Sequence, residues 1–279
     1  MAGARVAVFC AAALVFVAGC AEQKFDATLD SAFKKLFKPR RTPQQYMIIA
    51  VSDVDPDVRR EAVGRIAESK KHDQEWAIKG FVAIALLEND PQARCVAVRA
   101  LGRTGDRRAV ETCLKILNYR EHPPAEVRPP DDLCRWDATA SLADLSASSL
   151  PEESRSEALE TFVGRLRSDP DRHVRIAAAR GLQHFAEIEA IRGLIEGLRD
   201  EDFAVAHQCE YSLAWLTGTT HDCDPYLWEQ WLAEHEQGAF AQVGVLPESR
   251  QPPYEGRWDK FTYKTKEFFR WVFPGSKEK

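Results

Sequence analysis

The chain has little that would set it outside ordinary globular proteins or give it ready-made chemistry. No internal stretch of its 279 residues approaches the roughly 20 apolar residues that cross a bilayer. Fifteen glycines and fifteen prolines are too few for a collagenous or low-complexity chain. Gly-rich phosphate loops, His-Glu-x-x-His and Gly-x-Ser-x-Gly are all missing. Seven cysteines, odd in number and thinly spread, fit a disulfide framework poorly. What is present is 44% hydrophobic and 29% charged residues, the composition of a globular protein with a sizeable core. The net charge of −5 is unevenly distributed. Residues 21–41 carry a local +3, residues 250–279 a local +4 and Arg5 a further +1, which leaves −13 on residues 42–249. A body that acidic argues against a phosphate backbone as its ligand, so no nucleic acid is expected.

The first twenty residues read as an address. Arg5 precedes an apolar run of 14 residues, Val6 to Gly19, too short for a stable span and of signal-peptide anatomy. Val17-Ala18-Gly19-Cys20 resembles the bacterial lipobox. That resemblance implies cleavage before Cys20, lipidation of its sulfur, and a membrane-anchored lipoprotein of the cell envelope facing the periplasm or exterior. Two or three acyl chains hold a protein on a membrane far more firmly than one. Cys10 leaves with the signal and Cys20 takes lipid, so Cys95, Cys113, Cys134, Cys209 and Cys223 remain and at least one thiol has no intrachain partner.

The body repeats itself. Asp55-Pro56-Asp57-Val58-Arg59-Arg60-Glu61-Ala62 recurs around Arg94 and Arg175, with weaker copies around Arg135 and Ala206. The steps between these five anchors are 35, 41, 40 and 31 residues. Within a copy, apolar or small residues recur four and eight positions on: Val58, Ala62, Ile66; Val174, Ala178, Leu182; Val205, Cys209, Leu213. That is one helical stripe, with a small residue at its centre where a neighbouring helix can approach. Asp-Pro ahead of the stripe supplies a capping acceptor and a proline at the helix start. Further helices are predicted between these, over Gln74–Glu88, Arg108–Asn118, Glu152–Ser168 and Ile188–Arg199, with a short opening helix from Pro43 to Val51. Each unit is two antiparallel helices unable to bury its apolar face alone, and stacking resolves that.

The Asp-Pro-x-Val-Arg-x-x-Ala-x-x-x-Leu pattern resembles the second helix of HEAT repeats, of the short bacterial type labelled phycobilisome-lyase-like. The resemblance covers about residues 43–216 in five units. It implies an all-α fold: an α-solenoid of about five helix pairs, with a capping helix over 217–237. It also implies that Arg59, Arg94, Arg135 and Arg175 sit on inner helices and pair with turn aspartates of adjacent units. The third unit departs from the pattern by an insertion, Tyr119–Asp132, with four prolines. The fifth has Ala206 in place of the arginine, so a ladder of such pairs should end there.

Outside the repeats, residues 20–42 hold a lipidated segment in which Phe25, Leu29, Phe33 and Leu36 share a helical face beside lysines. Residues 217–237 contain Asp224-Pro225 and a helix bearing Trp228 and Trp231, suited to closing the array. Residues 238–257 read as a Pro-containing linker, and 258–279 as a basic aromatic amphipathic helix. Trp258, Phe261, Phe268, Phe269 and Trp271 of that helix are candidates for a membrane interface or for packing on the solenoid. Trp136 and Trp215 are expected in the core. His207-x-Cys209 and His221-x-Cys223 mimic a zinc ligand set, but residues two apart on a helix point nearly opposite ways. No metal and no cofactor is expected. The best reading is a non-enzymatic, lipid-anchored scaffold that binds an unknown protein, with Arg60, Arg99 and His173 as candidate contacts. The alternatives are a tether between membrane and another envelope layer, or a lyase-like enzyme on HEAT repeats.

Overall fold

The computed structural model describes residues 41–119, 127–148, 150–251 and Lys264. The signal segment, Cys20, the amphipathic stretch from Phe25 to Leu36 and the C-terminal candidates Trp258, Phe261, Phe268, Phe269 and Trp271 lie outside them. Among the described residues every regular element is helical: α1 Pro43–Ser52, α2 Pro56–Ala67, α3 Glu75–Leu87, α4 Pro91–Thr104, α5 Arg107–Leu117, α6 Asp132–Ser148, α7 Arg155–Ser168, α8 Arg172–Leu182, α9 Ile188–Gly197, α10 Phe203–Thr217 and α11 Pro225–His235. No described helix is long and apolar enough to cross a membrane.

The eleven helices form five pairs and a closing helix. In each pair the even-numbered helix packs along its partner and along the even-numbered helices of the units before and after it. The even-numbered helices contact one another more extensively than the odd-numbered ones do, so they form the inner layer of the α-solenoid. The repeat pattern explains why. Ala62, Ala97, Ala138, Ala178 and Cys209 occupy the same position three residues after each anchor, and all five are buried. Their small side chains let inner helices approach closely, while Ile66, Leu101, Leu142, Leu182 and Leu213 one turn further on fill the space between layers. Gly181 takes this to its limit, because the ring of Phe162 fills the place a Cβ would take.

Inner helices start at aspartates. Asp55, Asp90, Asp171 and Asp202 cap α2, α4, α8 and α10, each accepting a first-turn N–H, and Asp131 accepts from the Cys134 N–H at 2.7 Å. For α8 the structure corrects the expectation that Asp169-Pro170 opens the helix. Asp171 is the cap, and Asp169 is freed for another task.

Closure of the array is also local chemistry. Asp224 caps α11, and Trp228 is fully buried with Trp231 edge-on to it at 5.6 Å. The chain then does not run on as an open linker. Residues 238–251 fold into turns that bury Ala239, and the Gly244 N–H donates to the Trp215 carbonyl at 2.8 Å. Gly218 makes this possible: it ends α10 in the left-handed region, φ 74°, and Gln242 packs where a Cβ would project.

Candidate binding face on the inner helices

The arginine ladder forms the spine of this face. Arg135 Nε reaches Asp169 Oδ2 at 3.0 Å, and Arg175 Nε reaches Asp200 Oδ2 at 2.7 Å, each from one inner helix to the turn before the next. The acid lies two residues before the cap of that next helix, where it also accepts the cap's own N–H. Arg59 follows the geometry, but its partner is Glu88 at 2.9 Å, not an aspartate. Burial alone would raise the Glu88 carboxyl. The Arg59 hydrogen bond and the N–H groups of Asp90 and Asn89 outweigh it and hold the group below the ordinary carboxylate range.

Arg94 breaks the expected pattern. The residue two before Asp131 is Pro129, which has no carboxylate. Arg94 instead donates to the carbonyls of Ala85 at 3.0 Å, Pro129 at 2.9 Å and Arg128 at 3.1 Å. The insertion thus supplies backbone oxygens where its neighbours supply acids, and it is pinned to α3 by the Arg128 N–H on the Leu86 carbonyl at 2.9 Å. Buried guanidinium groups need such acceptors, and carbonyls serve where no charge is at hand.

At the fifth unit Ala206 stands at the ladder position and Glu210, one turn on, takes over. Its fully buried carboxylate accepts from Trp228 Nε1 at 2.7 Å, from the N–H groups of His221 and Cys223, each at 3.1 Å, and from the Thr220 hydroxyl. Arg250 Nη2 lies 3.7 Å away and supplies the countercharge. One acid therefore ties together α10, the 218–224 loop, α11 and the returning chain. Sequence reading missed it because its hydrogen-bond donors lie 10 to 18 residues away and Arg250 lies 40 away.

The three candidate contacts fall on the inner helices but in different surroundings. Arg60 bonds to Gln92 and Asp57 and lies 3.5 Å from Asp90. Arg99 pairs with Asp137 at 2.6 Å on the rim of a groove of about 340 Å³ between α4 and α6, lined also by Ser141 and Asp144. His173 is exposed and its ring meets that of Trp136 at 5.5 Å. Only His173 joins an apolar surface. Trp136 is 41% exposed rather than core, its ring lying against that of His173 on α8, although Cys95 at the equivalent position of α4 is buried. Leu133 on α6 and Phe203 on α10 are exposed as well, and the Phe203 ring lies 5.9 Å from that of His207. Aligning the copies on their anchor gives the signal that was available: Arg60, Cys95, Trp136, Ile176 and His207 share one position. The row runs polar in the first unit and aromatic in the third and fifth.

His207 and Cys209 diverge as helical geometry requires. His207 faces solvent beside Arg250, while Cys209 is fully buried against Gly197. All five described cysteines are free thiols. Burial pushes Cys134 up to about 11 and Cys113 to about 12, so neither is a nucleophile at neutral pH.

Residues 127–214, from the end of the insertion to α10, match the family model described as HEAT repeats. A solved structure similar to this chain is the complex of CpcE and CpcF of phycocyanin lyase from Nostoc sp. PCC7120. The likeness has 20% sequence identity and a TM-score of 0.49, and covers 72% of this chain and 73% of that one. No curated protein matches the chain. Stacked helix pairs of this kind expose a long continuous inner surface.

Proposed function

We propose that the protein is a non-enzymatic scaffold of the cell envelope, anchored by lipid on Cys20, whose protein partner docks on the inner helices α6, α8 and α10. The observation that carries the reading is the exposed row Leu133, Trp136, His173 and Phe203 on a face the repeat consensus does not need for its own stacking. Large exposed aromatics in a shared surface are what partner contacts are made of. Arg99 and Arg60 would flank it as polar rim.

A photoactivatable side chain at Leu133, in chains exported by the native host, should give a discrete cross-linked product. That product should vanish in Trp136→Ala and Phe203→Ser chains and survive Ile48→Ser at the other end of the array. A product indifferent to both aromatic substitutions would dispose of the inner-face reading. The anchor has its own test: Cys20→Ser should abolish incorporation of labelled fatty acid, and unchanged labelling would remove the lipoprotein from the proposal.

A further inference from the structure

We propose that the inner row is occupied, in the absence of a partner, by the chain's own C-terminal segment, residues 258–273, which acts as an internal pseudo-ligand. This rests on the reading of the row as the binding face and adds the chemistry of what it takes: an aromatic segment edged with lysine and arginine.

Three observations converge. The first is where the chain ends its described path. Arg250 lies 3.5 Å from His207 and 3.7 Å from Glu210, so Gln251 leaves the fold beside the α10 end of the row. The second is reach. Inner helices at about 8–10 Å spacing put α6 about 16–20 Å from α10, and the sixteen residues 258–273, if helical, measure about 24 Å. Residues 252–257, extended at about 3.3 Å each, give about 20 Å of lead. The third is complementarity. The turns beside the row carry Asp131, Asp132, Asp171 and Glu201, none with a cationic side-chain partner among the described residues. The segment carries Lys260, Lys264, Lys266 and Arg270, along with Trp258, Phe261, Phe268, Phe269, Trp271 and Phe273. Aromatic faces would meet Trp136 and Phe203 while the cations lie toward the turns. A partner then binds only by displacing the segment, and must present similar chemistry.

The test uses the full chain without any partner, so its outcome is independent of whether a partner is found. Ala204→Cys places a thiol beside Phe203, and Val54→Cys places one at the far end, where Val54 is exposed. Alkylation at each is followed by peptide mass spectrometry, which separates the new thiol from Cys223. Phe268→Ser with Phe269→Ser in the same chain should speed the reaction at Ala204→Cys at least tenfold and leave Val54→Cys within twofold. Trp136→Ala should release Ala204→Cys to a similar degree. Anionic phosphatidylglycerol vesicles should leave the protection in place. The proposal is overturned if the tail substitutions leave the Ala204→Cys rate unchanged, or if vesicles alone abolish the protection, which would make lipid the segment's preferred surface.

Discussion

Arg135 and Asp169 meet across 34 residues of chain, the guanidinium at 3.0 Å from a carboxylate with no solvent exposure. Asp169 serves three groups at once. It takes Arg135 from the preceding inner helix, Arg165 at 3.5 Å from its own outer helix, and the Asp171 N–H of the cap that follows. Three elements of two adjacent units are thereby held in one register. Apolar stacking alone would leave that register free to slide, because Ala-centred helix surfaces resemble one another from unit to unit.

Removing Asp169 should be costly out of proportion to its size. Asp169→Ala takes the carboxylate from the largely buried guanidinium of Arg135 and should lower stability by about 3–5 kcal/mol. Arg172→Ala, which breaks a half-exposed pair with Asp202, should cost at most about 1 kcal/mol. Urea midpoints of the two variants at one pH decide this. Equal losses would mean the ladder contributes no more than a surface pair.

The close approach of inner helices makes a second expectation. Ala97 and Ala178 are fully buried at helix crossings, so Leu at either position should cost about 1–3 kcal/mol by overpacking. Thermal unfolding of the two variants checks it, with Ala140→Leu on the half-exposed side of α6 as a control. Free tolerance at Ala97 and Ala178 would refute the register described for the inner layer.

Much of this architecture was readable in advance, and the reasons differ by element. Inner helices announce themselves by an aspartate cap and a stripe at four and eight residues, both local signals. Helix ends were legible to within three residues for the outer helices too, α7 starting latest because a short 3-10 turn at Glu152–Ser154 precedes it. The face was less legible. An indole's size suggests burial for Trp136, whereas it lies 41% exposed beside His173, at a position where the smaller Cys95 of α4 is buried. Arg94 was expected to find an acid because its neighbours do, and only the three-dimensional course of the insertion reveals carbonyls there. Glu210 carries no motif at all; its role comes from a loop and a tryptophan that fold back onto it.

Acid should weaken the fold in two stages. His184 is half-buried; that burial, then the nearby Arg180, holds its ring below the usual 6.5. The unfolded chain therefore takes up that proton first, and the contribution of the neutral ring fades as pH falls from about 6.5 through the folded value. Glu88 is likewise depressed, from 4.5, so its pairing with Arg59 stabilises above that pH and is lost as pH drops below it. Urea midpoints from pH 8 to pH 3 should show both declines. His184→Gln should remove the upper one alone, and an upper decline that persists in this variant would assign it to another group.

The last expectation concerns Glu210. Its carboxylate meets only donors: the Trp228 indole, two backbone N–H groups, a hydroxyl and, at longer range, Arg250. Glu210→Gln keeps the shape but turns one acceptor into an NH₂ that faces N–H groups. It also removes the charge that faces Arg250. A buried donor left facing donors costs about 1–3 kcal/mol, and loss of the charge adds to that. The loss should be local before it is global. The returning segment around Arg250 should loosen first, so trypsin should cut after Arg250 at least tenfold faster in Glu210→Gln than in the parent chain. Tryptophan emission should shift to longer wavelength as Trp228 loses its partner. Glu234→Gln on the exposed side of α11 should change neither reading. If Glu210→Gln leaves proteolysis after Arg250 unchanged while lowering the midpoint, the acid holds α10 to α11 and has no part in setting where the C-terminal segment leaves the array.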